Sequence, residues 1–382
     1  MSDLGAPSIN ISFVEKGKTA IKRGSQGIVL LGVKDNFAVP LNNTLTVTSV
    51  GDIPATLKDT TKEQIKLALI GYQTAPIKVL VYGMNIEDDA DADAISTAYT
   101  KSMKAWETIK FDYLAIPTVS TDGQTTTVVT WIKSMRAKKK QVKAVLPNTA
   151  ADCEYIINYA IDKNVYTEQV TQNDGSVKSV DTTYTAEQYC SRIAGLICGT
   201  PLKISATYAP LSELTDCTRL DDLDGAVNAG KFVIFHDGEK VKTCRAVNSF
   251  VTTTQDKGDK YKKIKIIDIM DLITDDITKT VQDSYLGKYA NSYDNKCGLI
   301  AAIKGYFMQL ERDGLITKEY VVDFDIDALK AYHLSKGIYT EEQLAAMSDD
   351  EIARLDTGSK VFLKAGVVIL DAMEDLDLPI AI

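Results

Sequence analysis

Gly27-Ile28-Val29-Leu30-Leu31-Gly32-Val33 is the stretch that decides the fold of this chain. None of its seven residues carries a polar side chain, which is typical of a strand that is buried on both faces. The run falls well short of the roughly 18 residues that a membrane-spanning helix needs. We therefore predict the central strand of a parallel sheet with helices on both sides.

Helices and strands alternate after this run. Thr61 and Gln64 have the spacing of a capping box, which marks the start of a helix. The predicted elements are a helix at residues 61–72, a strand at 77–82, a helix at 91–110, a strand at 112–116, a helix at 128–139 and a strand at 142–146. Strands separated by helices of this length imply right-handed crossovers. This part of the chain is predicted to be an α/β domain.

The pattern changes beyond residue 150. Residues 165–170 and 177–183 predict a β-hairpin, because the Asp174-Gly175 pair between them supplies the positive φ of a tight turn. A helix at 186–198 and a strand at 231–235 follow. Two longer helices at 267–285 and 295–313 and a strand at 320–324 then predict an α+β region.

Both ends of the chain carry isolated strand patterns. Near the start, Ile9, Ile11 and Phe13 alternate with polar residues. Residues 367–370, which include Val367 and Ile369, form an apolar run near the other end. After it, apolar residues alternate with polar or small ones at Leu376, Leu378, Ile380 and Ile382. Pro379 cannot donate to a ladder, so one side of this last strand is expected at a sheet edge. Pairing within the same domain and pairing with another copy are both open.

Composition limits the class of protein. The 382 residues suffice for two or three domains, and 45% apolar with 25% charged residues indicates a globular chain. A net charge of −9 opposes binding to nucleic acid. The first residues have no basic region followed by an apolar stretch, so synthesis and residence in a cytosol are expected. Six scattered cysteines and two histidines predict no disulfide framework, zinc site or imidazole chemistry.

The charges are unevenly distributed. Residues 320–382 contain thirteen acidic and five basic side chains, whereas residues 133–143 contain six basic ones and no acid. The basic run is most simply the exposed face of a helix. Two solvated faces that never meet would explain the asymmetry, and so would complementary surfaces on different copies. Lys138, Lys139 and Lys140 are the candidate charged contacts.

Motifs that resemble catalytic or ligand sites fail in detail. Residues 225–231 read GxxxxGK, but Phe232 stands where a phosphate loop needs Ser or Thr, and a strand follows instead of a helix. The aspartates at 89, 91 and 93, and those at 323, 325 and 327, lack the Gly and Glu of a calcium loop and suit helix starts or solvated acids. We predict no catalytic, cofactor or metal site.

Seven stretches carry a family resemblance. They are Arg192-Ile193-Ala194-Gly195-Leu196-Ile197-Cys198-Gly199-Thr200-Pro201, Ser205-Ala206-Thr207-Tyr208, Asn228-Ala229-Gly230-Lys231-Phe232-Val233, Arg245-Ala246-Val247-Asn248-Ser249-Phe250-Val251-Thr252, Lys263-Ile264-Lys265-Ile266-Ile267-Asp268, Tyr285-Leu286-Gly287-Lys288-Tyr289 and Gly314-Leu315-Ile316. In order and spacing they resemble the contractile-tail sheath proteins of bacteriophages and phage-tail-like bacteriocins. The start of the chain resembles the N-terminal arm and first core strand of that family.

The resemblance implies a structural subunit and no enzyme. Such subunits stack as helical rings around a rigid tail tube and shorten irreversibly, which drives the tube through a bacterial envelope. The implied partners are further copies, the tail tube protein, the baseplate and the tail terminator, with no nucleic acid, membrane insertion or cofactor. The implied location is a virion tail or bacteriocin particle, assembled in the cytoplasm of a bacterial host.

The resemblance also implies a fold class. It is α/β, with a subtilisin-like parallel-sheet central domain without protease chemistry, an α+β C-terminal domain, and extended N- and C-terminal arm strands that complete a neighbour's sheet. The predicted parts are an N-terminal arm at 1–20, a β-rich or small α/β region at 21–90, the central domain at 91–245 with the hairpin insertion at 165–183, the C-terminal domain at 246–360, and the C-terminal strand and arm at 361–382.

The arm residues expected at subunit interfaces are Ile9, Ile11, Phe13, Val367, Ile369, Leu376, Leu378, Ile380 and Ile382. An α/β hydrolase-like enzyme is the alternative, and its only support is the pattern of a parallel sheet, which does not determine a function.

Overall fold

The computed structural model describes residues 21, 24, 26–36, 43–171 and 177–381. The chain divides into two compact units. The large unit comprises residues 24–275 and 369–382, and the small unit comprises residues 1–23 and 276–368. The predicted domain boundary between residues 245 and 246 falls within the large unit, and the predicted five-part division stays a prediction.

The bounds of the elements are as follows. The strands are β1 (Ile28–Val33), β2 (Thr44–Val47), β3 (Lys78–Gly83), β4 (Tyr113–Ala115), β5 (Lys143–Pro147), β6 (Ile156–Tyr159), β7 (Asn164–Thr171), β8 (Val177–Tyr184), β9 (Leu214–Cys217), β10 (Lys231–Phe232), β11 (Ile234–His236), β12 (Val241–Thr243), β13 (Val321–Phe324) and β14 (Leu363–Gly366). The helices are α1 (Asp59–Leu69), α2 (Ala92–Trp106), α3 (Thr125–Ala137), α4 (Ala186–Cys198), α5 (Leu223–Asn228), α6 (Ile264–Ser284), α7 (Tyr293–Arg312), α8 (Ile326–Ser335), α9 (Glu341–Ala345) and α10 (Asp349–Arg354).

The large unit is built on a seven-stranded sheet in the order β10-β6-β5-β4-β1-β3-β2. All neighbouring pairs run parallel except β2, which is antiparallel to β3 at one edge. The predicted central strand is confirmed, since β1 lies between β3 and β4 and all its residues are buried. The α/β fold class with a parallel sheet is therefore correct.

Side chains of β1 alternate between two hydrophobic cores. Val29, Leu31 and Val33 pack in the core that contains α1 and α4, whereas Ile28 and Leu30 pack in the core that contains α2 and α3. Gly195 lets α4 approach α1 closely, because a Cβ at this position would lie 2.0 Å from the carbonyl oxygen of Ala68. The apolar run thus needs partners on both faces, and the chain supplies them itself.

The predicted hairpin is present as β7 and β8, and β9 extends it to a three-stranded antiparallel sheet that the sequence did not predict. The predicted strand at 231–235 is two strands. β10 pairs with β6, whereas β11 pairs with β12. Between them, the carbonyl of Val233 accepts a hydrogen bond from the amide of Cys244, so the chain leaves the large sheet at this point.

The small unit contains α7 to α10 and a two-stranded sheet of β13 and β14. The predicted strand at 367–370 is wrong in position, because the strand is β14 at Leu363–Gly366. Gly366 pairs with Val321, the first residue of β13. Before Val321 the chain turns, as the amide of Tyr320 donates to the carbonyl of Lys318. The β13–β14 ladder therefore ends at Gly366, because its partner strand β13 begins at Val321.

Candidate functional site

The C-terminal segment, residues 369–381, belongs to the large unit, and Glu374 fixes it there. The side chain of Glu374 is only 4% exposed. Its Oε1 accepts hydrogen bonds from Ser205 Oγ (2.9 Å) and Thr207 Oγ1 (2.6 Å), and its Oε2 lies 3.0 Å from Lys263 Nζ. Arg245 Nε lies 4.0 Å from the same oxygen. We call Ser205, Thr207, Arg245 and Lys263 the Glu374 socket.

Two further carboxylates flank Glu374. Asp371 pairs with Lys263 at 2.5 Å, and Asp375 pairs with Arg245. Burial alone would lower the pKa of Lys263, but its hydrogen bonds to Asp371 and Glu374 raise it above the ordinary value. The hydrogen bond to Asp375 likewise raises the pKa of Arg245. Residues 371–375 are thus held by charge-assisted contacts, which are stronger than neutral ones.

The remainder of the segment is apolar and uncovered. Leu376, Leu378 and Ile380 are 87%, 66% and 76% exposed. Residues 370–381 form neither a helix nor a strand. Single exposed apolar side chains are common, but three at alternating positions have the spacing that one face of an added strand requires.

The other predicted arm residues fall in two groups. Val367 and Ile369 are half-buried just after β14. Ile9, Ile11, Phe13 and Ile382 lie outside the described residues.

An apolar groove of about 700 Å³ lies in the small unit. Leu286, Tyr289 and Val361 line it and are exposed, and Leu363 brings β14 to its wall. Among the described strands, β14 has a partner on one edge only, which is β13. The groove and this free strand edge together can accept an added strand.

The predicted basic run does not form one exposed face. Lys138 Nζ lies 3.3 Å from Glu107 Oε1, and Lys140 donates to the backbone carbonyl of Glu107. The hydrogen bond from Lys138 is the main reason that the pKa of Glu107 is lowered. Lys139, which has a φ of 64° beyond the end of α3, is exposed, and within the described residues its ammonium group has no partner.

Arg136 and Lys143 belong to a buried ionic cluster, which corrects the prediction that the basic run is solvated. Lys143 Nζ lies 2.5 Å from Asp271 and 3.0 Å from Asp268 on α6, and Arg136 lies 2.8 Å from Asp271. Desolvation alone would raise the pKa of Asp271, but Lys143 and Arg136 hold it below the ordinary value. The cluster joins β5 and α3 to α6 and stabilises the fold.

A buried acid also lies where open α/β sheets commonly bind ligands, which is beyond the carboxyl ends of strands at which the sheet order reverses. In this sheet the reversal lies between β1 and β4. There Asp122 pairs with Lys34 and accepts hydrogen bonds from Tyr99 (2.8 Å) and Thr118 (2.8 Å). All three partners are side chains of the chain itself, so we assign Asp122 a structural role.

The residues in the motifs that fail as ligand sites have structural roles. Asp91 caps α2 by accepting from the amide of Ala94, and Asp325 caps α8 by accepting from the amide of Ala328. Gly230 follows α5 and precedes β10 with a φ of 69°.

In the part of the chain that the structure describes, no three His, Cys, Asp or Glu side chains could together hold a metal ion. None of the described helices has the length and apolar character that a membrane span requires.

Sequence reasoning missed the Glu374 socket, although three of the stretches that carry the resemblance supply all four of its residues. Ser205 and Thr207 come from one stretch, Arg245 begins a second and Lys263 begins a third. The signal was their polar character within otherwise apolar surroundings, which indicates a buried polar partner.

Comparison with known proteins gives consistent matches over the chain. Residues 93–249 match the phage tail sheath protein central domain, and residues 256–382 match the phage tail sheath C-terminal domain. A tail sheath protein of Clostridium phage phiCD119 is 33% identical over 382 residues, which is 98% of both chains. Protein XkdK of the phage-like element PBSX of Bacillus subtilis is 27% identical over 65% of this chain and 51% of its own length.

Solved structures share the fold. The sheath tail protein of Desulfitobacterium hafniense superposes with a TM-score of 0.64 at 18% identity, over 83% of this chain and 94% of that one. The helical sheath of the anti-feeding prophage in its contracted state gives a TM-score of 0.64 at 16% identity, over 99% of both chains. At these identities the likeness concerns the fold.

Proposed function

The chain belongs to the phage tail sheath protein family, and on that premise we propose that it is a structural subunit of a contractile tail sheath. Copies polymerise as helical rings around a tail tube, and contraction drives the tube through a bacterial envelope. The proposal assigns no catalysis and no cofactor to the chain. The similarity in fold to sheath subunits of contracted particles supports it.

Contraction of such a sheath needs no fuel. The extended polymer is metastable, and the contracted polymer is the state of lower free energy because it buries more surface between subunits. The subunits must nevertheless stay connected while their packing changes. A flexible connection between neighbours meets this requirement.

The C-terminal arm, which we define as residues 376–382, is the proposed connection. The observation that carries this proposal is the exposure of Leu376, Leu378 and Ile380 at alternating positions. We propose that the arm adds a strand to the small unit of a neighbouring copy, at the free edge of β14 and the adjoining groove. Backbone hydrogen bonds then give strength, and the alternating apolar side chains set the register.

Magnitudes indicate that one arm alone binds weakly. Full burial of a Leu or Ile side chain contributes about 1.5–3 kcal/mol, whereas ordering each residue costs about 1–2 kcal/mol. The two terms nearly cancel for an arm of this length. In a polymer, however, neighbouring copies hold the arm close to its acceptor, so its local concentration is high. The arm is therefore expected to act as a tether within the sheath and not as a dimerisation strand in dilute solution.

Residues 1–20, with Ile9, Ile11 and Phe13, are proposed as the matching N-terminal arm. The proposed partners beyond other copies are the tail tube protein, the baseplate and the tail terminator. The proposed location is a virion tail or bacteriocin-like particle that is assembled in the cytoplasm of a bacterial host.

Deleting residues 376–382, or replacing Leu378 with Asp, tests the tether. Because these side chains are exposed in the subunit, we expect a folded subunit that no longer forms tubes or rings in electron micrographs. Asp377→Asn is the matched control, since Asp377 is an exposed neighbour. Tubes that assemble and contract normally after the deletion would refute the tether.

A further inference from the structure

Among the described residues, the charged contacts of the C-terminal segment end at Asp375, although Met373 before that point is also fully exposed. Up to Asp375 its carboxylates are held by the large unit, and from Leu376 onward its apolar side chains are exposed. Glu374 is the most buried of the three carboxylates, with 4% of its side chain exposed against 33% for Asp371 and 78% for Asp375. A carboxylate this buried is costly unless it is paired and hydrogen-bonded.

Contacts that do not involve Glu374 hold the socket residues in place. Ser205 Oγ accepts a hydrogen bond from the amide of Thr207 (3.1 Å), and Thr207 Oγ1 accepts one from the amide of Ala246 (3.0 Å). Lys263 forms a β-bridge with Val247 immediately before α6. The socket residues come from three separate parts of the large unit that backbone contacts hold together. Glu374 therefore meets residues that contacts within the large unit have already positioned.

We propose that Glu374 is a positioning residue that anchors the root of the C-terminal arm to its own subunit. This inference rests on the proposed tether and adds its fixed point. The arm leaves the subunit at Leu376 in one defined place, and a neighbour captures only what lies beyond it. An anchored root limits the volume that the arm can search, which raises its effective concentration at the acceptor.

Anchoring also limits the reach of the arm. Residues 376–382 span at most about 3.3–3.6 Å each when extended, so these seven residues reach about 25 Å from their root. A neighbour's acceptor must therefore lie within that distance in both the extended and the contracted sheath. A root that was released during contraction would have no such limit.

Hydrogen exchange in the full-length, unassembled subunit tests the anchor directly. We expect Glu374→Ala to speed exchange of the amides in residues 369–375 by about tenfold or more, because it removes the hydrogen bonds that a charged acceptor makes with the socket. Ser205→Ala removes one of the hydrogen-bond donors to Glu374. It should give a smaller increase in the exchange rate of the same amides. Asp377→Asn should leave them unchanged.

Assembly then separates the anchor from the tether. We expect Glu374→Ala to form tubes more slowly and at higher protein concentration than wild type, whereas Leu378→Asp should block tubes without altering exchange at residues 369–375. Unchanged exchange in Glu374→Ala would overturn the anchor, and so would fast exchange combined with wild-type assembly. If Leu378→Asp also assembles normally, the tether itself fails, whatever happens at Glu374.

Discussion

The central strand β1 and the C-terminal arm are both apolar strand patterns, yet the chain treats them in opposite ways. Leu31 in β1 is completely buried, whereas Leu378 in the arm is 66% exposed. In β1 the chain supplies a neighbouring strand on each side and helices on both faces. For the arm, the described residues supply an anchor at Glu374 and no strand that pairs with residues 376–381. The fold around β1 is completed within one chain, and we propose that the arm is completed by another copy.

Alanine substitutions at these two leucines should give opposite results. We expect Leu31→Ala to lower the free energy of unfolding of the subunit by about 2–5 kcal/mol, because it leaves a cavity in a packed core. Leu378→Ala should change it by less than about 0.5 kcal/mol, as for most exposed sites. Urea unfolding of the unassembled subunit measures both.

The two alanine variants should show the opposite order of effects on assembly. At a temperature where Leu31→Ala remains folded, it should still form tubes, whereas Leu378→Ala should form fewer than wild type. A loss of more than about 1 kcal/mol in the subunit carrying Leu378→Ala would mean that the arm packs on its own chain in solution, and the contrast with β1 would disappear.

The sequence predicts β1 well because its signal is local. An unbroken apolar run with helices of regular period on either side specifies a buried parallel strand without knowledge of distant residues. The arm is equally visible, since its alternation is also local. The sequence does not show that, among the described residues, no strand pairs with residues 376–381.

The Glu374 socket and the buried cluster escaped prediction because they depend on long-range topology. Glu374 contacts residues 167 and 169 positions away, and in the sequence it looks like any other acid of an acidic tail. Lys143 is separated from Asp271 by 128 positions, so it reads as part of a solvated basic run. Only the tertiary structure, in which Lys143 pairs with Asp268 and Asp271 on α6, shows that Lys143 is buried.

The small unit, which is the proposed acceptor of the arm, contains a histidine whose protonation should affect its stability. His333 on α8 is buried, and neither of its ring nitrogens has a hydrogen-bond partner in the described residues. It packs edge-on against Tyr332 and Tyr339, with Lys296 and Asp356 as the charged groups nearby. Burial lowers the pKa of His333, with Lys296 acting in the same direction and Asp356 against it.

Acid should therefore destabilise the small unit through His333. A group whose pKa is lowered by folding contributes stability that is complete above its unfolded pKa, about 6.5 for His, and is lost as the pH falls through its folded value. We expect hydrogen exchange in α8 to accelerate between pH 7 and pH 5, after correction for the intrinsic pH dependence. His333→Leu should remove this acceleration. His236→Gln, in the large unit, should not, and an unchanged profile for His333→Leu would exclude His333 as the cause.

The smallest expected effect concerns charge between copies. Lys138 and Lys140 are occupied by Glu107, so of the three predicted contacts Lys139 is the one available to the acidic C-terminal third of a neighbour. We expect Lys139→Glu to leave subunit stability within about 0.5 kcal/mol but to slow assembly at low salt, with the difference vanishing near 1 M salt as screening sets in. Lys101→Glu, an exposed change of the same charge on α2, is the control. If the two variants assemble at equal rates at every salt concentration, the charged contact lies elsewhere, and the apolar arm with its anchored root is left as the specific connection between copies.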